Sequence, residues 1–164
     1  MTTRQQQLGF SLIELLMVVA VIGIISAIAI PNFVSSKRSA NEASALSTMR
    51  VIFSAQSTYR ATTGSGSYGD LADLETAGLI DSVVGASDTT AKSGYLFTTD
   101  PVSGPSYPAF DATAEPTTAT GPLATGTRSY FVNETGVMYQ AVAATAPACT
   151  ATDARTVSGG TPLN

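Results

Sequence analysis

The chain has 164 residues, of which 44% are hydrophobic and 12% charged, with 8 Lys and Arg against 12 Asp and Glu for a formal net charge of −4. That length allows one modest domain beside any membrane segment, and the acidic balance argues against nucleic acid as the main partner. No histidine is present, which removes the commonest general base and metal ligand, and the lone cysteine, Cys149, excludes an internal disulfide.

The chain opens on a short polar leader with one basic residue, Arg4, ending at Gly9. Phe10 then begins an apolar run that holds one carboxylate, Glu14, and residues 15–30 carry no charge. As a helix, residues 10–30 would span about 32 Å, close to the hydrocarbon thickness of a bilayer. A charged side chain at that depth costs about 3 kcal/mol or more, so Glu14 is a functional candidate by default. A secretory signal peptide is the competing reading, because Ala27-Ile28-Ala29 offers an A-x-A cleavage site. The length of the run, the glutamate at its start and the helical pattern continuing past Ala29 all count against it.

Over residues 8–31 the sequence resembles type IV prepilins and the related pseudopilins. The resemblance implies cleavage after Gly9 by a membrane-embedded prepilin peptidase, followed by N-methylation of Phe10. It assigns Phe10 and Glu14 to assembly. The freed amine on Phe10 is cationic near neutral pH, and in a filament it would meet Glu14 of a neighbouring copy. The implied partners are other copies in a homo-oligomeric helical filament, the prepilin peptidase and the inner-membrane pilus assembly platform. The implied route runs from a single-pass inner-membrane precursor to an extracellular pilus on the cell surface.

Pro31 cannot donate a backbone hydrogen bond, so the helix should kink or loosen there, and Gly23 is a second point of helix flexibility. Beyond Asn32 the helix becomes amphipathic, with Ala43, Leu46, Met49, Ile52, Phe53 and Tyr59 spaced to form one face. Gly and Ser at 64–67 end it. A short helix is expected from Asp70 to about Ala77, capped at its start by Asp70 or Gly69, with Gly78 as the left-handed residue at its end. Four strands follow, at 94–99, 107–114, 126–133 and 137–142, the last two joined through Glu134-Thr135-Gly136. Residues 115–125 read as an exposed loop and 149–164 as a loose polar tail.

The expected fold is therefore α+β, the pilin fold: a long N-terminal helix, apolar then amphipathic, packed on a four-stranded antiparallel sheet. Its segments are the leader 1–9, the membrane and filament-core helix 10–31, the amphipathic half 32–62, a connection with a short helix 63–93, the sheet 94–142 and the tail 143–164. Many relatives close a C-terminal loop with a disulfide, and this chain departs from that pattern.

No catalytic, cofactor-binding or metal-binding constellation stands out. Asp70, Asp73 and Glu75 form a small acidic group better suited to compensating a helix N-terminus than to holding a cation. The reading is a structural subunit of a type IV pilus, not an enzyme, serving adhesion, motility or uptake. One alternative is a pseudopilin of a type II secretion system. A lower alternative is a DNA-binding competence pilin, which would need Lys92, Arg128 and Arg155 clustered on the surface.

Overall fold

The computed structural model describes residues 10–163, so Gly9 and the rest of the leader lie outside the described residues. The chain divides into two units, Met1–Ser36 and Lys37–Asn164, and the division falls inside helix α1, Leu12–Ala61.

In the first unit, the residues from 11 to 36 are exposed except for Ser26 and Val34. This helix is long and apolar enough to cross a membrane. Pro31 stands within α1, which runs on past it. Gly23 has open space where a side chain would begin.

The second unit holds the core. Its part of α1 buries Ala45, Thr48, Met49, Ile52, Ala55 and Gln56. This face is rotated from the expected one: Ala43 is exposed, while Leu46, Phe53 and Tyr59 only flank the core. The buried line mixes the apolar Met49 and Ile52 with the small Ala45 and Ala55 and the polar Thr48 and Gln56. Gln56 shows the polar part of that line. Its amide donates to Gly69 O at 2.5 Å and to Thr99 Oγ1 at 2.8 Å, and its Oε1 accepts from Gly69 N at 3.2 Å. A fully buried side chain thus ties α1 to the connection after it and to the sheet.

Helix α2, Leu71–Thr76, is capped by Asp70, which accepts from Asp73 N while Asp73 accepts from Asp70 N. This reciprocal capping box explains two of the three clustered acids. Gly78 follows with φ of 69°, the left-handed geometry that suits a glycine after a helix. A further helical turn not expected from the sequence, α3 at Ser82–Gly85, is started by Asp81, which accepts from Val84 N. Both helices close the core through Leu71, Leu74 and Val84.

The main sheet is antiparallel, in the order β1 (Tyr95–Val102), β2 (Ala109–Pro116), β3 (Ser129–Asn133), β4 (Met138–Ala141), β7 (Thr161–Pro162). It therefore has five strands where four were expected. The fifth comes from the tail, where Leu163 N donates to Met138 O at 2.7 Å. The tail also folds a two-stranded ribbon, β5 (Ala148–Cys149) with β6 (Val157–Ser158). Polar composition concealed this order, because pairing of so few residues leaves almost no hydrophobic period to read.

Tyr95, Phe97 and Thr99 alternate into the core from β1, and Phe110, Ala112 and Ala114 do so from β2. Phe97 pairs with Ala114 and Thr99 with Ala112, so larger side chains sit beside small ones. The ring of Tyr68 packs 4.7 Å from that of Phe110. β2 lies inside the sheet and begins after Pro108; Pro101 sits on edge strand β1, where a missing donor is tolerated.

The segment after β2 is shorter as a loop than expected, because Glu115 and Pro116 complete the strand. Its remainder is strapped to α1. Arg38 donates to Ala124 O at 3.2 Å and to Gly121 O at 2.7 Å, and Asn41 donates to Thr125 O at 2.8 Å. Glu42 accepts from Thr127 N and Thr127 Oγ1, both at 2.9 Å. Residues 38, 41 and 42 share one face of the helix, which puts all three acceptors and donors on the same loop.

Candidate functional site

The first candidate site is the start of α1. Phe10 is 86% exposed. Ser11 occupies the position before the first helical residue, and its carbonyl accepts from Leu15 N at 3.3 Å. Ser11 N donates to Glu14 Oε2 at 3.0 Å. Glu14 thus folds back over its own helix start, where a carboxylate also meets the positive end of the helix dipole. The sequence Ser11-Leu12-Ile13-Glu14 carries the S-x-x-E spacing that announces such a cap, yet Ser11 was not among the expected site residues. Gly23 and Pro31 lie farther along the same helix, in the same unit.

The second constellation is built by the tail. Arg155, between β5 and β6, keeps only 2% of its side chain exposed. Its Nε donates to Glu134 Oε1 at 3.1 Å, and its guanidinium contacts the Asp111 carboxylate. Its remaining donors reach Thr150 O at 3.1 Å and Phe110 O at 3.2 Å. Burial alone would weaken the charge on Arg155, but Asp111 foremost, and then Glu134, hold its pKa above the ordinary arginine value. One tail residue therefore bridges β2 and the turn after β3.

Cys149 sits beside this bridge as a free thiol. Asn133 Nδ2 donates to its Sγ at 3.6 Å, and Asn133 Oδ1 accepts from Thr135 N at 3.1 Å and from Thr135 Oγ1 at 2.6 Å. Burial pushes the Cys149 thiol above its ordinary pKa despite the nearby Arg155.

Of the three basic residues that a nucleic-acid surface would need, Arg128 is exposed and Lys92 half-buried, while Arg155 is taken up by the fold. Arg155 is buried in its ion pairs. Lys92 Nζ donates to Thr48 Oγ1 at 3.1 Å, and Arg128 donates to Gln140 Oε1 at 3.3 Å.

Comparison with known proteins bears on the N-terminal end. The family described as the prokaryotic N-terminal methylation motif matches residues 4–30. Over 51 residues the chain is 43% identical to the type IV major pilin protein PilA of Myxococcus xanthus (strain DK1622). That stretch covers 31% of this chain and only 23% of the relative's length. No solved structure matches the chain. The chain is thus similar to a prepilin-type methylation motif over residues 4–30 and to a type IV major pilin over 51 residues.

Proposed function

We propose that this chain is the structural subunit of a type IV pilus. It is made as a membrane-anchored precursor, cut after Gly9 and N-methylated on Phe10. It then polymerises through its N-terminal helix into an extracellular filament. The observation that carries this reading is an apolar helix, exposed along nearly all of residues 11–36, with its only carboxylate at Glu14, inside the matched methylation motif. Such a surface fits lipid before assembly and other copies of the same helix afterwards.

In this reading Glu14 pairs with the Phe10 amine of a neighbouring copy. Gly23 and Pro31 let the helix adjust as copies pack, since each weakens the local hydrogen-bonded ladder. The chain acts by assembling, not by catalysis. Its partners are its own copies, the prepilin peptidase and the inner-membrane assembly platform.

Mass spectrometry of filaments sheared from cells tests the proposal. The expected N-terminal peptide begins with N-methyl-Phe10, in abundant polymer. Processed chain confined to the membrane fraction would favour a secretion pseudopilin instead. An N-terminus at Ile30 would overturn the reading in favour of ordinary secretion.

A further inference from the structure

The turn at residues 121–124 holds an apolar tip in place. Arg38 Nη2 donates to Gly121 O at 2.7 Å and Arg38 Nε donates to Ala124 O at 3.2 Å, so one guanidinium grips both ends of the turn. Ala124 N donates back to Gly121 O at 3.3 Å, and Thr125 N donates to Thr118 O at 2.8 Å. Pro122 and Leu123, between those ends, are exposed, and Leu123 leaves 83% of its surface open to solvent. A single exposed leucine is ordinary, but this one stands on a turn fastened by an arginine fork. Lys37, beside Arg38 in the chain, is exposed and takes no ion pair among the described residues. The acid nearest to it in sequence, Glu42, is engaged by Thr127.

Residues 15–36 carry no charge, so Lys37 and Arg38 are the first charges after the apolar run. Lys37 follows Ile30 by seven positions within α1, about 10 Å along a helix. The headgroup layer takes up about 5–8 Å of that beyond the hydrocarbon, and a lysine stem reaches across the rest while its ammonium stays in water. We propose that Lys37 and the Pro122-Leu123 tip form a foot by which the folded unit rests on the surface of the bilayer that its own helix crosses. The partner is the headgroup layer: the ammonium meets lipid phosphate, and the proline and leucine enter the boundary between headgroups and acyl chains. Chain continuity favours lipid over other occupants, because the turn is fastened to the first charged residues that follow the membrane segment. The proposal rests on the membrane-anchored precursor of the reading above.

The chain has no tryptophan, so one introduced indole reports alone. The full chain carrying Leu123→Trp is reconstituted in phosphatidylglycerol vesicles, with a nitroxide quencher either on the headgroup or deep in the acyl chain. Ile22→Trp, in the middle of the apolar run, is the reference for insertion. Ser103→Trp, in the exposed hairpin at the opposite end of β2, is the reference for solvent. Emission from position 123 should be blue-shifted, quenched by the headgroup nitroxide and spared by the deep one. Position 22 should show the opposite order, and position 103 no quenching. Lys37→Gln in the Leu123→Trp background should lower the ratio of docked to free tip about fivefold, the equivalent of about 1 kcal/mol for one lysine at an anionic surface. Solvent-like emission from position 123 while position 22 is quenched overturns the foot, as does equal quenching at positions 103 and 123. Loss of quenching at position 22 overturns the membrane-anchored reading itself. Emission from position 123 that turns blue only in sheared filaments places the tip against a neighbouring copy and also overturns the foot.

Discussion

Arg155 Nε lies 3.1 Å from Glu134 Oε1, and this pairing fixes the C-terminal segment to the sheet without a covalent bond. The same guanidinium contacts Asp111 and donates to two backbone carbonyls. Removing it would leave two carboxylates, with side chains 25% and 11% exposed, facing each other without a counter-charge. Arg155→Met should therefore destabilise the folded unit by about 3–5 kcal/mol, the usual cost of breaking a buried pair from one side. Urea unfolding of the purified protein checks this. A cost below about 1 kcal/mol would mean that the pair behaves as a surface bridge.

Gln56 makes a second prediction. Gln56→Leu keeps the bulk of the side chain but orphans Gly69 N, Gly69 O and the Thr99 hydroxyl. Leaving a buried polar group unpaired costs about 1–3 kcal/mol. Thermal unfolding should show a loss in that range, larger than for Ser57→Leu on the exposed side of the same helix turn.

Cys149 supplies a pH dependence. Burial raises its pKa, so the thiolate is scarcer in the folded protein than in the unfolded chain at the same pH. Alkylation by iodoacetamide at pH 8 should be slower in native protein than in urea, and should accelerate as pH rises further. The linked stability has a definite sign. A raised folded pKa contributes stability that is fully present below the unfolded thiol value of about 8.5. It is lost as pH climbs through the folded value. Cys149→Ser should flatten that alkaline decline.

Pro31 gives a prediction for the first unit. Pro31→Ala restores a helical donor and removes a ring that opposes the ladder, a change worth about 3 kcal/mol in a helix interior. Amide exchange around Ala27 should slow in micelles. If helix adjustment is needed for packing, sheared-filament yield should fall. Slower exchange with unchanged yield would remove Pro31 from the assembly machinery.

The start of the chain was the most legible part. A carboxylate in an apolar run is rare and costly, and residues 4–30 match the corresponding family motif, while the roles given to Gly9, Phe10 and Glu14 belong to the proposal above. Strands β1 to β4 were readable from alternating aromatic and branched residues. The fifth strand was not, because Thr161 and Pro162 carry no period and owe their place to pairing with Gln140 and Tyr139. Arg155 was read as a possible surface charge for the same reason. Its burial depends on Asp111 and Glu134, which are 44 and 21 residues away in sequence. Arg38, Asn41 and Glu42 did carry a signal, a polar stripe at helical spacing, but their partners lie in a loop whose composition suggested nothing to bind. The Asp70–Asp73 cap was visible because both partners are near in the chain, although the equally local Ser11–Glu14 and Asp81–Val84 contacts were not read.

Asn133-Glu134-Thr135 spells the acceptor sequence for N-linked sugar. Folding closes that door. Asn133 is 1% exposed, and its amide is held by Thr135 on one side and Cys149 on the other. Thr135, the residue a transferase would read, is spent on the same turn. A sugar could be attached only to a chain that has not yet folded, and its bulk would then keep Asn133 out of the sheet. For this chain, acquiring a glycan at its one readable sequon and completing its fold are mutually exclusive events.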